Sequence, residues 1–114
     1  MENNKETIVL KVYDLLKYVV PILNRLPRSQ KFVFADRIQN QLSDLLEMMI
    51  DAYYAAGNNK LPILHRINLQ LEKTRYFVRL GHDLGLFSSG IYRELSKRLL
   101  EIGRMNGGWI KSLK

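Results

Sequence analysis

Arg75 and Arg79 stand four residues apart in the stretch "TRYFVRLGHD" (74–83), with Glu72 one helical turn before Arg75. That spacing puts two side chains on one face of an α-helix. Downstream, Arg93, Lys97 and Arg104 follow at i, i+4 and i+11, again one helical face, with Arg98 offset by one position. If two such helices lie antiparallel, the six residues form a basic ridge. Guanidinium groups present a planar fork that matches phosphate and carboxylate, so the chemistry expected of the ridge is anion binding. It would grip a phosphodiester backbone without reading its sequence, and the grip would weaken steeply with salt. Tyr76, Phe77 and Tyr92 fall among these arginines and could stack on bases, but at helical spacing the core is the better expectation.

Groups able to do catalysis are scarce. His65 and His82 lie seventeen residues apart, with no HxxxH or HExxH spacing, and no glutamate has a histidine three positions later. Neither a zinc site nor a di-iron site is expected. There is no cysteine, which excludes disulfides and thiolate ligation and fits a reducing cytoplasm. His82 and Asp83 in "GHDLG" have no nucleophile placed with them, so His82 reads as a helix C-terminal cap. Gly81, Gly85 and Gly90 match neither the P-loop nor the dinucleotide fingerprint and read as a turn. Asp44, Glu47 and Asp51 share one side of a helix, which is expected to be a solvated face. No catalytic residue, metal or cofactor is predicted, and the chain is not expected to be an enzyme.

Four amphipathic helices must position the ridge. Ile8, Val12, Leu15, Leu16, Val19 and Leu23 recur at three- and four-residue steps and predict a helix over about 5–24, with Pro21 kinking or ending its last turn. Ile38, Leu42, Leu45, Leu46, Met49 and Tyr53 predict a second over about 30–56, with Ser29 as its N-cap and Gly57 as its C′ residue. Leu64, Ile67, Leu71, Thr74 and Val78 predict a third over about 60–82, with Pro62 in its first turn. Ile91, Leu95, Leu99 and Ile102 predict a fourth over about 89–105, capped by Ser88 or Ser89. Glu94 and Arg98 form an i,i+4 pair in the favourable order. The expected fold is all-α: an up-down-up-down antiparallel four-helix bundle forming one domain over 1–114, with a short C-terminal tail.

Over 114 residues, hydrophobic content is 46% and charged content 25%, ordinary values for a globular chain. The net charge of +7 is unevenly placed. Residues 1–55 carry seven cations and seven acids, whereas residues 56–114 carry eleven cations and four acids. Such asymmetry points to an anionic partner for the second half. Glu2, Lys5, Glu6, Lys11 and Asp14 interrupt any apolar leader, so no secretory signal is expected. The apolar stretches, such as "YVVPIL" (18–23), are too short to span a membrane, and a cytoplasmic location is expected.

The runs "LPRSQKFVFADRI" (26–38) and "LGHDLGLFSSGIYRELSKRLLEIGRMNGGWIK" (80–111) resemble the accessory variability determinant proteins of diversity-generating retroelements. The resemblance extends from about Leu16 to Lys111. Its most specific parts are the "LPR" turn before a Phe-bearing helix start, the helix "YRELSKRLLEIGR" (92–104), and "GGW" (107–109). The wider relatives are S23-like four-helix proteins encoded in rRNA intervening sequences. The "GRMNGGW" ending favours the retroelement branch. The alternative is an S23-like structural or RNA-associated oligomer with no polymerase partner. The resemblance implies a non-catalytic four-helix protein that assembles into a homopentamer with a basic surface. It also implies binding to a reverse transcriptase and to nucleic acid, RNA or DNA, in support of mutagenic cDNA synthesis. On this reading Arg75, Arg79, Arg93, Lys97, Arg98 and Arg104 make the anionic contacts.

The tail poses its own question, because the only tryptophan follows a glycine pair. Gly107 and Gly108 are expected to end the fourth helix as a C-cap. Trp109 then folds back as a plug at the bundle's end, in preference to serving as a stacking platform, while Lys111, Lys114 and the arginines of the fourth helix meet the anion.

Overall fold

The computed structural model describes residues 4–114, with side chains from Thr7 onward. Glu2, one of the charges expected to interrupt a leader, lies outside the described residues. The chain folds as an all-α four-helix bundle of 44 × 23 × 21 Å. Its helices are α1 (Asn4–Asn24), α2 (Asp36–Tyr54), α3 (Lys60–Asp83) and α4 (Ser89–Ser112). Helix α1 packs on α2 and α4, and α3 also packs on α2 and α4, so α2 and α4 stand on opposite sides of the bundle. Cross-links fix the antiparallel order. Lys60 meets the end of α2, Gln70 Nε2 donates to the Gln41 carbonyl, and His82 stacks on Tyr92.

The expected apolar stripes face the core, with Leu16, Leu46, Tyr53 and Ile91 only partly buried at its margin. Ile8, Val12, Leu15, Val19 and Leu23 of α1 face Ile38, Leu42, Leu45 and Met49 of α2 in one core with Leu64, Ile67, Leu71 and Val78. Each large side chain so buried stabilises the fold by about 1.5–3 kcal/mol. Pro21 sits within α1 without ending it, and the helix runs on to Asn24.

Helix boundaries depart from expectation where packing outweighs local propensity. Ser29 is not a cap. The chain turns helical at Arg28–Gln30, directly after Pro27, and then widens into a π-helical turn at Lys31–Ala35 before α2 proper. The wide turn buries Phe34 and Ala35 while leaving Phe32 and Val33 each 75% exposed. At the other end of α2 the cap comes from elsewhere in the chain. Lys60 Nζ donates to the carbonyls of Ala52 and Tyr53, at 2.9 and 3.0 Å, satisfying two groups a helix end leaves open. Gly57, with φ of 44°, begins a 3₁₀ turn at Gly57–Asn59, two residues beyond the Ala55 C-cap.

Helix α3 ends in a Schellman motif. The Leu86 amide donates to the Gly81 carbonyl and the Gly85 amide to that of His82, with Gly85 at φ of 77°. His82 contributes no cap through Nδ1, which is buried without a hydrogen-bond partner; its ring stacks on Tyr92 with centroids 4.4 Å apart. Ser88 caps α4, accepting from the Ile91 amide at 3.2 Å.

The largest correction concerns the tail. Helix α4 does not end at Met105; it runs through Gly107 and Gly108 to Ser112, and neither glycine takes a positive φ. Two glycines inside a helix cost about 1 kcal/mol each relative to alanine. The stripe of Leu95, Leu99 and Ile102 continues through Asn106, Trp109 and Ile110, all buried, and that burial outweighs the glycine cost. Trp109 is part of the core, with the Lys60 ammonium 5.9 Å from its ring centre.

Gly81 is where two aromatic rings meet the α3 backbone. A Cβ there would come within 2.6 Å of the Phe34 ring and 2.7 Å of the Phe87 ring. Gly81→Ala gains about 1 kcal/mol of helix propensity but forces both rings aside. A net loss of about 1–3 kcal/mol is expected, read as a lower urea midpoint; a raised midpoint would contradict this account of the junction.

Candidate functional site

The six basic residues fall into three environments. Arg93, Lys97 and Arg104 lie exposed on the strip of α4 that faces away from the core. Because α4 continues past the glycines, Lys111 joins this strip seven residues beyond Arg104. The sequence places Lys111 in a tail beyond the fourth helix, meeting the anion from there; the structure sets it on the helix itself.

Arg75 and Arg104 line one groove, between α3 and α4, together with Asn68, Leu71, Leu100 and Gly103. Arg75 is hydrogen-bonded to Glu72, and its guanidinium reaches across to α4. Its Nη1 lies 3.8 Å from where a Cβ on Gly103 would stand. Arg79 is exposed on α3, with Asp83 at 3.9 Å.

Arg98 faces the other way, towards α1. Its Nε donates to Glu94 at 2.7 Å, and its guanidinium lies 4.7 Å from the centre of the Tyr18 ring. A second groove on that flank alternates in sign, with Lys11, Asp14, Glu94, Lys97 and Glu101 along it. Lys11 and Glu101 pair across it at 3.1 Å.

These pairings sort the charge. All four acids of the second half are engaged: Glu72 with Arg75, Asp83 with Arg79, Glu94 with Arg98 and Glu101 with Lys11. Arg93, Lys97, Arg104 and Lys111 make no ion pair among the described residues. On the opposite side of the bundle, α2 exposes Asp36, Asp44, Glu47 and Asp51, a solvated acidic face. The molecule therefore carries opposed acidic and basic sides, and an anion is drawn to α4.

The interleaved aromatics divide. Phe77 is half-buried with Arg37 over its ring, and Tyr92 is half-buried against His82. Tyr76, expected in the core, is 64% exposed instead. It belongs to an exposed apolar stripe on α3, with Leu69 and Leu80 at spacings of seven and four residues. That periodicity runs beside the core stripe, and a second, parallel period is the signal that could have revealed it. Among the described residues no group of histidine, aspartate and glutamate is placed to hold a metal ion, and no helix is long and apolar enough to cross a membrane.

A family model described as bAvd-like matches residues 7–113. The chain belongs to the bAvd-like family. The resemblance read from the "LPR" turn, the "YRELSKRLLEIGR" helix and "GGW" is thus borne out, and the family is an accessory, non-catalytic kind of protein. Compared with curated proteins, the chain matches none. Within this bAvd-like protein, α4 is the helix on which basic strip, groove and core stripe coincide.

The Arg98 hydrogen bond holds the Glu94 carboxyl below its ordinary value of 4.5, against the opposing effect of desolvation. A depressed carboxylate favours the fold above the ordinary glutamate range and ceases to as pH falls through its own lower value. Arg98→Gln should move Glu94 upward toward 4.5, followed by carboxyl-carbon NMR through an acid titration. An unchanged Glu94 titration would refute the assignment of this pair.

Proposed function

We propose that the protein is the non-catalytic accessory subunit of a diversity-generating retroelement. It binds the reverse transcriptase and nucleic acid, RNA or DNA, through the basic side of α3 and α4, and so supports mutagenic cDNA synthesis. The observation that carries this reading is the convergence of two independent facts. The chain is a member of the bAvd-like family, and Arg93, Lys97, Arg104 and Lys111 of the strip make no ion pair among the described residues. Arg75 and Arg79 flank that strip from α3, each held by one acid on its own helix. Arg98, engaged with Glu94 and Tyr18, contributes to the field of the face and positions the α1 flank.

Such a surface binds phosphates by releasing counterions, so affinity falls with rising salt. The triple variant Arg75→Glu, Arg79→Glu and Arg93→Glu reverses three charges. Its lost ion pairs are exposed and cost little stability. Binding to RNA and DNA at low salt should vanish while far-UV circular dichroism stays unchanged. Undiminished binding would remove this face from the proposal.

The same reading includes a homopentamer. The exposed stripe of Leu69, Tyr76 and Leu80 on α3, with Phe32 and Val33 at the π-turn, supports burial between subunits. Light scattering on the purified chain should return five chain masses, and Tyr76→Glu should lower that number. A monomer at micromolar concentration would overturn the assembly.

A further inference from the structure

The groove between α3 and α4 has features that phosphate binding alone does not use. Its apolar surface comes chiefly from Leu100, 47% exposed, with the edge of the core residue Leu71, 2% exposed, at the floor beside Gly103, which has no side chain. Arg75 crosses above Gly103, and its guanidinium is hydrogen-bonded to Glu72. Asn68 lines the groove, and its amide orientation is set from behind. The fully buried Asn106 donates from Nδ2 to Asn68 Oδ1 at 2.8 Å, and to the Leu64 carbonyl at 2.9 Å. With its oxygen taken, Asn68 is left with an NH₂ to offer a ligand. The cavity measures about 380 Å³, within the range of small-ligand sites.

We infer that this groove receives an unpaired nucleobase, so that the protein prefers single-stranded over double-stranded nucleic acid. The inference rests on the nucleic-acid reading of the basic strip and names which form of nucleic acid the strip holds. A base has two apolar faces and a polar edge. One face meets Leu100 above the buried Leu71, the other stacks on the Arg75 guanidinium, and the edge meets the Asn68 NH₂ and the Glu72 carboxylate. Arg104, on the rim, takes the adjoining phosphate, and the strip carries the backbone onward to Lys97 and Arg93. A duplex keeps its bases stacked inside and shows a convex face of helices only phosphate and sugar, so Leu71, Leu100 and Asn68 would do nothing for it.

The test measures fluorescence anisotropy of the full-length protein at low salt with three short probes of equal length: a single strand, a duplex, and an abasic strand with the same phosphates. The intact single strand should bind about tenfold more tightly than the abasic strand, the scale of one stacked base. Gly103→Leu should erase that difference while leaving duplex affinity within about twofold of wild type. A Cβ at position 103 makes only ordinary contacts, 3.8 Å to Arg75 Nη1 and 3.9 Å to Leu71 Cδ1, and leucine is a better helix former than glycine. Equal binding of intact and abasic strands by the wild-type protein overturns the base site, and needs no variant to fold. In that case duplex binding still stands for the strip. If none of the three probes binds, the nucleic-acid reading itself fails and takes the base site with it.

Discussion

A single buried amide sets the register on which the functional face depends. Asn106 is fully buried, and an amide in that position must find partners or destabilise the fold by about 1–3 kcal/mol. Its Nδ2 reaches the Leu64 carbonyl and Asn68 Oδ1 together, while its Oδ1 has no hydrogen-bond partner among the described residues. Sliding α4 by one turn along α3 would separate Asn106 from both. The same register brings Gly103 beneath Arg75, His82 against Tyr92, and Trp109 beneath Lys60. Apolar side chains alone tolerate sliding better than a hydrogen-bonded amide does. The polar core residue therefore specifies what the leucines merely stabilise.

Lys60 does comparable work at the end of the bundle. It stands at the first residue of α3 and donates to two open carbonyls of α2 while lying over the Trp109 ring. One side chain thus joins α2, α3 and α4. Counting it as part of an anion-binding surface, as the charge of the second half invites, would misplace it. The same holds for Arg98, whose guanidinium is engaged by Glu94 and Tyr18. Of the basic residues in the second half, some hold the bundle together, and the outward strip is what remains for a ligand.

The sequence made the four helices and their core stripes legible because burial imposes the period of 3.6 residues directly on residue type. Ile38, Leu42, Leu45 and Met49, for example, occupy the core as their spacing implies. What was hidden lay where one local rule competed with packing. Gly107 and Gly108 signal a helix end by propensity, yet Asn106, Trp109 and Ile110 supply the burial that carries α4 through them. Ser29 is a good cap by type, but Pro27 already starts the helical turn. The split of "FVF" into exposed Phe32 and Val33 and buried Phe34 depends on a π-turn that no residue type announces. The clustering of arginines by spacing was legible; which of them would be taken by an acid was not, because Glu101 pairs with Lys11 of a distant helix.

The correction to the tail alters the functional surface, not only a boundary. Had α4 stopped at Met105, Lys111 would belong to a loop and the basic strip would end at Arg104. With the helix intact, Arg93, Lys97, Arg104 and Lys111 follow at steps of four, seven and seven residues along one side. At about 1.5 Å of rise per residue, the strip extends roughly 27 Å. Trp109 faces inward on the same turns and anchors the segment that presents Lys111 outward. On the proposed function the tryptophan would bear on anion binding without touching the anion: its burial keeps the last turns of α4 helical, and those turns keep the strip's final cation in line.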